Sequence, residues 1–267
     1  MSAMLGKCFP CLGKQTGAKY AVDEIAVPGQ CATLWQALQR CIASNGRVKM
    51  IRVDEGDYEM GKESIVIDVS MVHIKGAGRG LTRFHRNDNI AKFQVSGGAR
   101  NVFLEGLSMF GMGAGDGVVV LGGASLRLDD VEISKVGGFG VHVGAAGNCE
   151  IIECEISNNG CPGVWVDGKD SFCFVRNTNI HSNNSDGCFA VNGGHCVLNG
   201  AVKVHGNTGF GIGAEGNGTL TIRTNEKLGF AVRNNKGASQ RKEADGGRII
   251  IDPPSKVTTI YKHYSYP

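Results

Sequence analysis

The fold is decided by a segment that the chain repeats, which reads VEISKVGGFGVHV at 131–143 and CEISNNGCPGVWV at 154–166. Each copy holds an apolar anchor and, seven or eight residues later, a glycine that a short apolar strand follows. Such self-similarity, with most glycines 23 or 24 residues apart, is typical of repeat architectures. The anchors are Met109, Ile133, Ile156, Ile180, Val204 and Ile222, and the glycines are Gly117, Gly140, Gly163, Gly187, Gly211 and Gly229.

Apolar and polar residues alternate within each repeat, as in Leu126-Arg-Leu128 and Val131-Glu-Ile133. An alternation of period two predicts strands with one inward and one outward face. No helical pattern separates these strands, which excludes a βαβ sheet. We therefore predict a coil whose turns stack in parallel, so that the inward residues form one continuous apolar column.

An asparagine lies three residues after four of the anchors, at Asn159, Asn183, Asn207 and Asn225. Stacked turns would bring these side chains into one column, where their amides could hydrogen-bond along the coil axis. Asparagine is also common in turns because it tolerates a left-handed backbone. The constant offset favours the ladder, which Val136 interrupts in the first repeat.

The composition agrees with a coil of many tight turns. Glycine accounts for 41 of 267 residues and proline for only 6, which excludes collagen and a low-complexity linker. The charged fraction of 20% and the hydrophobic fraction of 42% predict a folded domain. The net charge of +3 is small and spread out, so we predict no nucleic-acid partner. No apolar run reaches the ~18–20 residues of a transmembrane segment.

The chain divides into three predicted regions. Residues 1–28 form an arm that is expected to be flexible, residues 29–252 form the coil, and residues 253–267 form a tyrosine-rich tail. Within the coil region, Thr33 and Gln36 form a capping box that starts a cap helix over 33–44, and Asn45-Gly46 ends it. This helix would close the N-terminal end of the coil. The tail is either a packed flap or a mobile end.

The chain resembles the pectin-lyase-like superfamily of right-handed parallel β-helices over about residues 30–252. After the cap helix, Met50–Tyr58 and Val72–Gly78 are similar to that superfamily's opening strand, its Gly-x-Tyr and its Gly-x-Gly. The resemblance implies an all-β, single-stranded right-handed parallel β-helix of about eight turns with an N-terminal capping helix. The superfamily holds polysaccharide lyases, hydrolases and epimerases as well as binding domains without chemistry, so the resemblance assigns no function.

The catalytic motifs of these enzymes are incomplete here. Polygalacturonase-like hydrolases imply Asn-Thr-Asp, whereas this chain has Asn177-Thr-Asn179. The segment Val164-Trp-Val-Asp167 is similar to a pectate lyase motif, but Gly168 replaces the histidine. Asp129-Asp130 is a true acidic pair of the residue type that sugar hydrolysis needs. Adjacent residues at a strand end more often form a solvated turn.

A charged cluster is predicted where the turns stack. Stacking would place Asp130, Glu153 and Arg176 on adjacent turns, with Glu132 and Glu155 on a neighbouring outward column. Oxygen ligands of this kind suit calcium. We predict no cofactor, and calcium is considered only under the enzyme alternative. The other interpretation is an ordinary solenoid surface, since outward positions are commonly charged.

An aromatic flank is predicted on the strands that follow the repeat glycines. If the valines of strand 141–143 face inward, the residue between them faces outward, and its equivalents lie ~4.8 Å away on the next turns. A line of exposed aromatic rings marks a binding surface for a sugar or a protein. Cover by another part of the chain is the alternative. The residues of this flank are His142, Trp165, Asp167, Phe189 and Glu215.

The cysteines are predicted to fill the core. Cys149 and Cys173 are 24 residues apart and face inward, as do Cys154 and Cys188 by alternation. Free thiols and the lack of a secretory signal pattern predict an intracellular, cytoplasmic location. The lone pair Cys8 and Cys11 lies beside lysines and could be acylated, which would tether the arm to a membrane.

Taken together, the sequence predicts a non-catalytic intracellular β-helix module that binds a protein or a glycan on the aromatic flank. The alternative is a polysaccharide lyase, hydrolase or epimerase that acts on a uronic-acid polymer at the charged cluster.

Overall fold

The computed structural model of the chain describes residues 24–61, 64–85, 93–111, 113–223, 231–237 and 241–252. It is an all-β parallel solenoid of about eight turns with one short helix near its N-terminus. Each regular turn contributes a strand to each of three faces, and every described strand pair is parallel, which confirms the predicted stacking.

Strands are numbered in chain order. The first face consists of β1 (Glu24–Val27), β2 (Met50–Val53), β5 (His73–Lys75), β8 (Val102–Phe110), β10 (Ser125–Ser134), β12 (Asn148–Ile152), β15 (Phe172–Arg176), β18 (His195–Asn199), β21 (Thr219–Arg223) and β24 (Arg248–Ile251). Strands β8 and β10 continue around a corner into the second face, which adds β3 (Gly56–Glu59), β6 (Thr82–His85), β13 (Glu155–Ser157), β16 (Asn179–His181), β19 (Lys203–His205) and β22 (Ala231–Arg233).

The third face is a separate eight-stranded sheet. Its strands follow the repeat glycines, and their short apolar sequences pair in register from turn to turn. The strands are β4 (Ile65–Ile67), β7 (Phe93–Val95), β9 (Val118–Val120), β11 (Val141–Val143), β14 (Val164–Asp167), β17 (Cys188–Val191), β20 (Ile212–Glu215) and β23 (Arg241–Glu243).

The inward residues form the predicted apolar column. Ile133 pairs with Met109 on one side and Ile156 on the other, and Ile180 and Val204 continue the file. All five side chains are fully buried. Because each turn places the same type of residue above the last, the core continues along the coil without a break.

The cap helix α1 (Leu34–Ala43) confirms the predicted boundaries once its caps are included. The hydroxyl of Thr33 accepts a hydrogen bond from the N–H of Gln36 at 3.2 Å, and Ser44 closes the helix. The helix packs on β1 and β2, so it closes the N-terminal end of the coil. Its buried residues are Leu34, Ala37, Leu38 and Cys41.

The asparagine ladder forms, with one correction at its end. The side-chain oxygen of Asn183 accepts from both the N–H and the side-chain amide of Asn159, and Asn207 does the same for Asn183. The next member is Asn235 rather than the predicted Asn225, because the last turn is longer and Val204 pairs with Val232. Ile222, predicted as an anchor, instead pairs with Leu198 on the first face.

The described cysteines are all free, and most are buried. Cys149, Cys173 and Cys196 pair in register as one inward file, which confirms the predicted core role. Burial raises the pKa of Cys154 to about 12, so its thiol is unreactive. The cytoplasmic location stays a prediction.

The coil begins earlier than predicted. Strand β1 lies inside the region assigned to the flexible arm, because Ile25, Ala26 and Val27 are buried and pair with β2. Cys8, Cys11, Asn225 and the tail 253–267 lie outside the described residues. Among the described residues, no helix is long and apolar enough to cross a membrane.

Candidate functional site

The aromatic flank stacks as the sequence predicts. His142 pairs with Trp165 on the next turn, and Trp165 pairs with Phe189 on the turn after. The rings of Trp165 and Phe189 are stacked, with centroids 5.7 Å apart and planes 19° from parallel. Phe139, from the loop of the preceding turn, stacks on Trp165 at 5.4 Å. The indole ring therefore lies between two phenylalanine rings, and its two faces are occupied.

The expectation that Phe189 is exposed is wrong. Its side chain is only 2% exposed, because Trp165 covers it on one side and Gly213 receives it on the other. A Cβ at Gly213 would overlap the phenylalanine ring. The flank thus presents ring edges rather than a stack of open faces, and a sugar could not stack on the indole without displacing a neighbouring ring.

The polar residues of the flank have partners within the chain. Asp116 accepts a hydrogen bond from the N–H of Phe139 at 2.8 Å, and its other oxygen lies 3.7 Å from Nδ1 of His142. Asp167 accepts a hydrogen bond from the side chain of Asn192 at 2.8 Å. The backbone of Glu215 is held in register with Val191 by strand pairing. These contacts stabilise the flank from within.

We expect Trp165→Ala to lower the free energy of unfolding by about 2 kcal/mol, because it removes a half-buried ring that packs on two others. Urea denaturation would measure the change. Trp35→Ala is the matched control, since Trp35 is 52% exposed on the cap helix and should matter little. Equal effects of the two substitutions would contradict the packing role.

The charged cluster forms with a shifted register. Glu132 and Glu155 pair on adjacent turns, as predicted. Arg176 does not join Asp130 and Glu153, because it lies in the file of Asp129 and Ile152, one residue earlier. Asp130 and Glu153 adopt a positive φ at the corner between the first two faces, and Asn177 is the equivalent residue of the next turn.

The acidic side chains of the cluster bind other groups of the chain. Arg79 reaches across the turns to Asp130 at 3.2 Å and donates to the carbonyl of Glu153 at 3.4 Å. Glu132 accepts hydrogen bonds from Ser108 and Ser134 at 2.9 and 3.1 Å. Asp130 is therefore paired with a cation, and Glu132 is held by two hydroxyl groups.

Glu155 lies closest to a possible proton-transfer partner. Its carboxylate contacts Nε2 of His181 and accepts from the side chain of Asn179 at 3.1 Å. Burial works to raise the pKa of Glu155, but the hydrogen bond and charge of His181 outweigh it and hold that pKa below its usual value. The rings of His181 and His205 are stacked 5.0 Å apart. Burial and the charge of His181 lower the pKa of His205.

The described residues contain no group of three or more His, Cys, Asp or Glu side chains that is arranged to hold a metal ion. The calcium considered for an enzyme therefore has no geometric support from this part of the chain.

A groove on the outer side of the first face was missed by the sequence analysis. It has a volume of about 480 Å³ and spans strands β2, β5, β8 and β10. Its apolar lining consists of Met50, Met71, Val72 and Phe103, and its polar lining consists of Lys49, His73, Asn101, Glu105, Arg127 and Asp129. The alternation of inward and outward residues could have placed the strand residues of this groove on the outer surface. No repeated sequence motif distinguishes them from other outward residues.

Charged groups in and beside the groove form ion pairs with one another. Glu105 contacts Lys75 at 2.6 Å and Nε2 of His73 at 2.8 Å. Burial works to raise the pKa of Glu105, but Lys75 and His73 together lower it, so the group stays ionised at neutral pH. Arg127 forms an ion pair with Asp129, which the sequence analysis had assigned to a solvated turn. The groove thus offers fixed donors and acceptors beside an aromatic ring.

Comparison with known proteins agrees with this architecture. The family described as the right-handed β-helix region matches residues 116–238. No curated protein matches the sequence.

The solved structures that the chain is similar to include two viral proteins and a pectate lyase. ORF18 of Geobacillus virus E2 has a TM-score of 0.56 at 14% identity, over 86% of this chain and 62% of that one. The enzymatically active domain of tailspike protein 2 from bacteriophage CBA120 has a TM-score of 0.56 at 12% identity, over 81% and 40%. Pectate lyase Pel9A has a TM-score of 0.47 at 12% identity, over 88% and 79%.

The chain folds as a parallel β-helix, and the family match over residues 116–238 describes that part as right-handed. ORF18 and the tailspike domain share this fold with the chain, and at 14% and 12% identity the likeness concerns the fold alone. The chain spans less than two thirds of the length of the two phage proteins.

Proposed function

We propose that the protein binds a glycan, without cleaving it, in the groove on the first face. The observation that carries the proposal is the groove itself, whose volume of about 480 Å³ is in the range of small-ligand sites. A protein partner would need a contact of roughly 800 Å² on each side, which a groove of this size does not supply by itself. A few sugar units fit it better.

The lining has the chemistry that sugars need. The ring of Phe103 provides an apolar surface for the C–H face of a sugar, and Glu105 and Arg127 provide fixed partners for hydroxyl groups. Arg127 is paired with Asp129, and Glu105 is paired with Lys75, so these charges are largely neutralised within the chain. This pairing favours a neutral glycan over a strongly acidic polymer.

The aromatic flank is a weaker candidate for the same role. Phe189 is buried and the two faces of Trp165 are covered, so little ring surface is open to a partner. Binding at that flank, and an intracellular setting for it, stay predictions.

The direction of the pKa shifts at Glu105 and Glu155 suits hydrogen-bond acceptance better than proton donation. Sugar hydrolysis needs a carboxylic acid whose pKa is raised so that it can donate a proton. The pKa values of Glu105 and Glu155 are lowered instead. Carboxylates held in this state serve as hydrogen-bond acceptors.

Phe103→Ala should lower the affinity for a neutral oligosaccharide at least ~10-fold, because it removes the aromatic surface of the groove. Calorimetric titration with neutral oligosaccharides and oligogalacturonates would measure this loss and test the preference. Phe172→Ala is the matched control, since Phe172 is a half-buried ring of the same face, outside the groove.

Equal affinities of the two variants would contradict the groove as the binding site. New reducing ends or unsaturated products after incubation with either class of glycan would instead support the enzyme alternative.

A further inference from the structure

The C-terminal end of the described coil leaves apolar residues uncovered. Ile251 occupies the inward position that Ile222 holds one turn earlier. Ile222 is 2% exposed, whereas Ile251 is 54% exposed. Its outward neighbour Ile250 is 46% exposed, and Ile249 is only partly buried against the core. Within the described residues the inward column thus ends at solvent, which costs hydrophobic free energy.

The same place carries an open strand edge. Within the described residues, β24 pairs on one side only, with β21. On that side, the N–H groups of Arg248 and Asp252 donate to the carbonyls of Gly218 and Ile222, at 2.9 Å each. Since backbone groups of successive strand residues point to opposite sides, those of Ile249 and Ile251 face the open edge. The N–H of Ile249 is capped there by the carboxylate of Glu243. Such an edge is a template for another strand.

The residues of this edge are complementary to those of a second copy only when the two strands run antiparallel. The segment Arg248-Ile-Ile-Ile-Asp252 has a cation at one end, an anion at the other and three isoleucines between them. In an antiparallel pair of two such segments, Arg248 faces Asp252, whereas in a parallel pair like charges would meet. The following Pro253 and Pro254 have no N–H, so the pairing ends where the charges lie.

We propose that this edge joins two copies of the chain about a two-fold axis, with β24 of one copy antiparallel to β24 of the other. Ile249 then lies opposite the second copy's Ile251, and both residues have backbone groups that face the shared edge. In the dimer, the N–H of Ile249 donates to the carbonyl of the second copy's Ile251 instead of to the carboxylate of Glu243. Each exposed isoleucine of one copy covers its counterpart, and the contact is isologous, so it closes at a dimer.

The charges at the edge are available for this contact. Arg248 is exposed, and the side chain of Asp252 is 43% exposed and 3.7 Å from Arg223. An ion pair between Arg248 and the second copy's Asp252 occurs twice in the dimer and sets the register. The proposal is independent of glycan binding, because the groove lies on the opposite end of the first face.

A charge exchange tests the proposal on the full chain, by size-exclusion chromatography with light scattering over a wide range of concentrations. Wild type is expected to dimerise. Arg248→Asp and Asp252→Arg should each weaken the dimer ~10-fold or more, because like charges then face each other, and the double variant should restore it. Arg47→Asp, an exposed arginine near the cap helix, is the matched control and should leave the dimer unchanged.

Thermal unfolding monitored by circular dichroism verifies that each variant is folded. A wild-type monomer at every concentration would overturn the proposal. So would a dimer that Arg248→Asp leaves intact, or a double variant that remains as weak as the single ones.

Discussion

Gly140→Ala is expected to lower the free energy of unfolding by about 3 kcal/mol. A Cβ at this position would lie 2.5 Å from the carbonyl oxygen of Gly163 and 2.6 Å from Cγ2 of Ile156. It would also lie 2.9 Å from the side-chain nitrogen of Asn159. Two neighbouring turns must then move apart, because a carbonyl of the backbone cannot rotate away as a side chain can.

Urea denaturation of the variant would measure this loss. Gly61→Ala is the matched control, because Gly61 is exposed and a Cβ there would meet nothing within 4 Å. We expect the control to change stability little. A Gly140→Ala protein as stable as the control would mean that the turns are not packed as tightly as the structure has them.

Asn183→Asp is expected to lower the free energy of unfolding by about 4 kcal/mol at pH 7. The substitution keeps the shape of the side chain and its acceptor oxygen. It removes the side-chain NH₂ group, which donates to the side-chain oxygen of Asn207 at 2.9 Å and to the carbonyl of Ile156 at 3.4 Å. A carboxylate would instead face two oxygens at a position that is fully buried. Asn159 still donates two hydrogen bonds to the other oxygen, but the repulsion between the new carboxylate oxygen and these two acceptors is not compensated.

The loss should depend on pH in a defined direction. Burial raises the pKa of the new carboxyl in the folded state above the ~3.9 of an unfolded chain. The folded state then binds more protons than the unfolded state between these two values, so the deficit grows as pH rises through that interval. At pH 3 the protonated carboxyl can donate to Asn207, and the deficit should be smallest.

Equilibrium unfolding at pH 3 and pH 7, with wild type measured at each pH, would give the stability deficit of the variant at both pH values. Asn184→Asp is the matched control, since Asn184 is exposed beside the ladder. A deficit for Asn183→Asp that is the same at both pH values would argue against a buried carboxylate in the ladder.

The sequence was informative wherever one turn repeats the next. The anchors Ile133, Ile156 and Ile180, the cap helix and most of the asparagine ladder follow from spacing and alternation alone. The prediction was wrong where the period changes. The last turn is 28 residues long between Val204 and Val232, so an offset counted from Ile222 pointed to the wrong asparagine.

The candidate site was less predictable from the sequence. Its contacts join residues that do not occupy equivalent positions in successive repeats. Arg79 reaches Asp130 and Glu153 across several turns, and the groove combines Lys49, Phe103 and Arg127 from different turns. The alternation correctly placed Phe189 on the outer side of its strand. It could not reveal that Trp165 and Gly213 bury the ring there.

By itself, the sequence determined a coil of stacked parallel turns, the direction in which each strand residue points and the closure of one end by a helix. These follow because strand alternation and backbone pairing act between neighbours at a fixed period. Only the tertiary structure decided which outward side chains are covered, which charges are paired and where the turns leave a groove. Those outcomes depend on how far side chains and loops reach across the surface, and no repeat period encodes that distance.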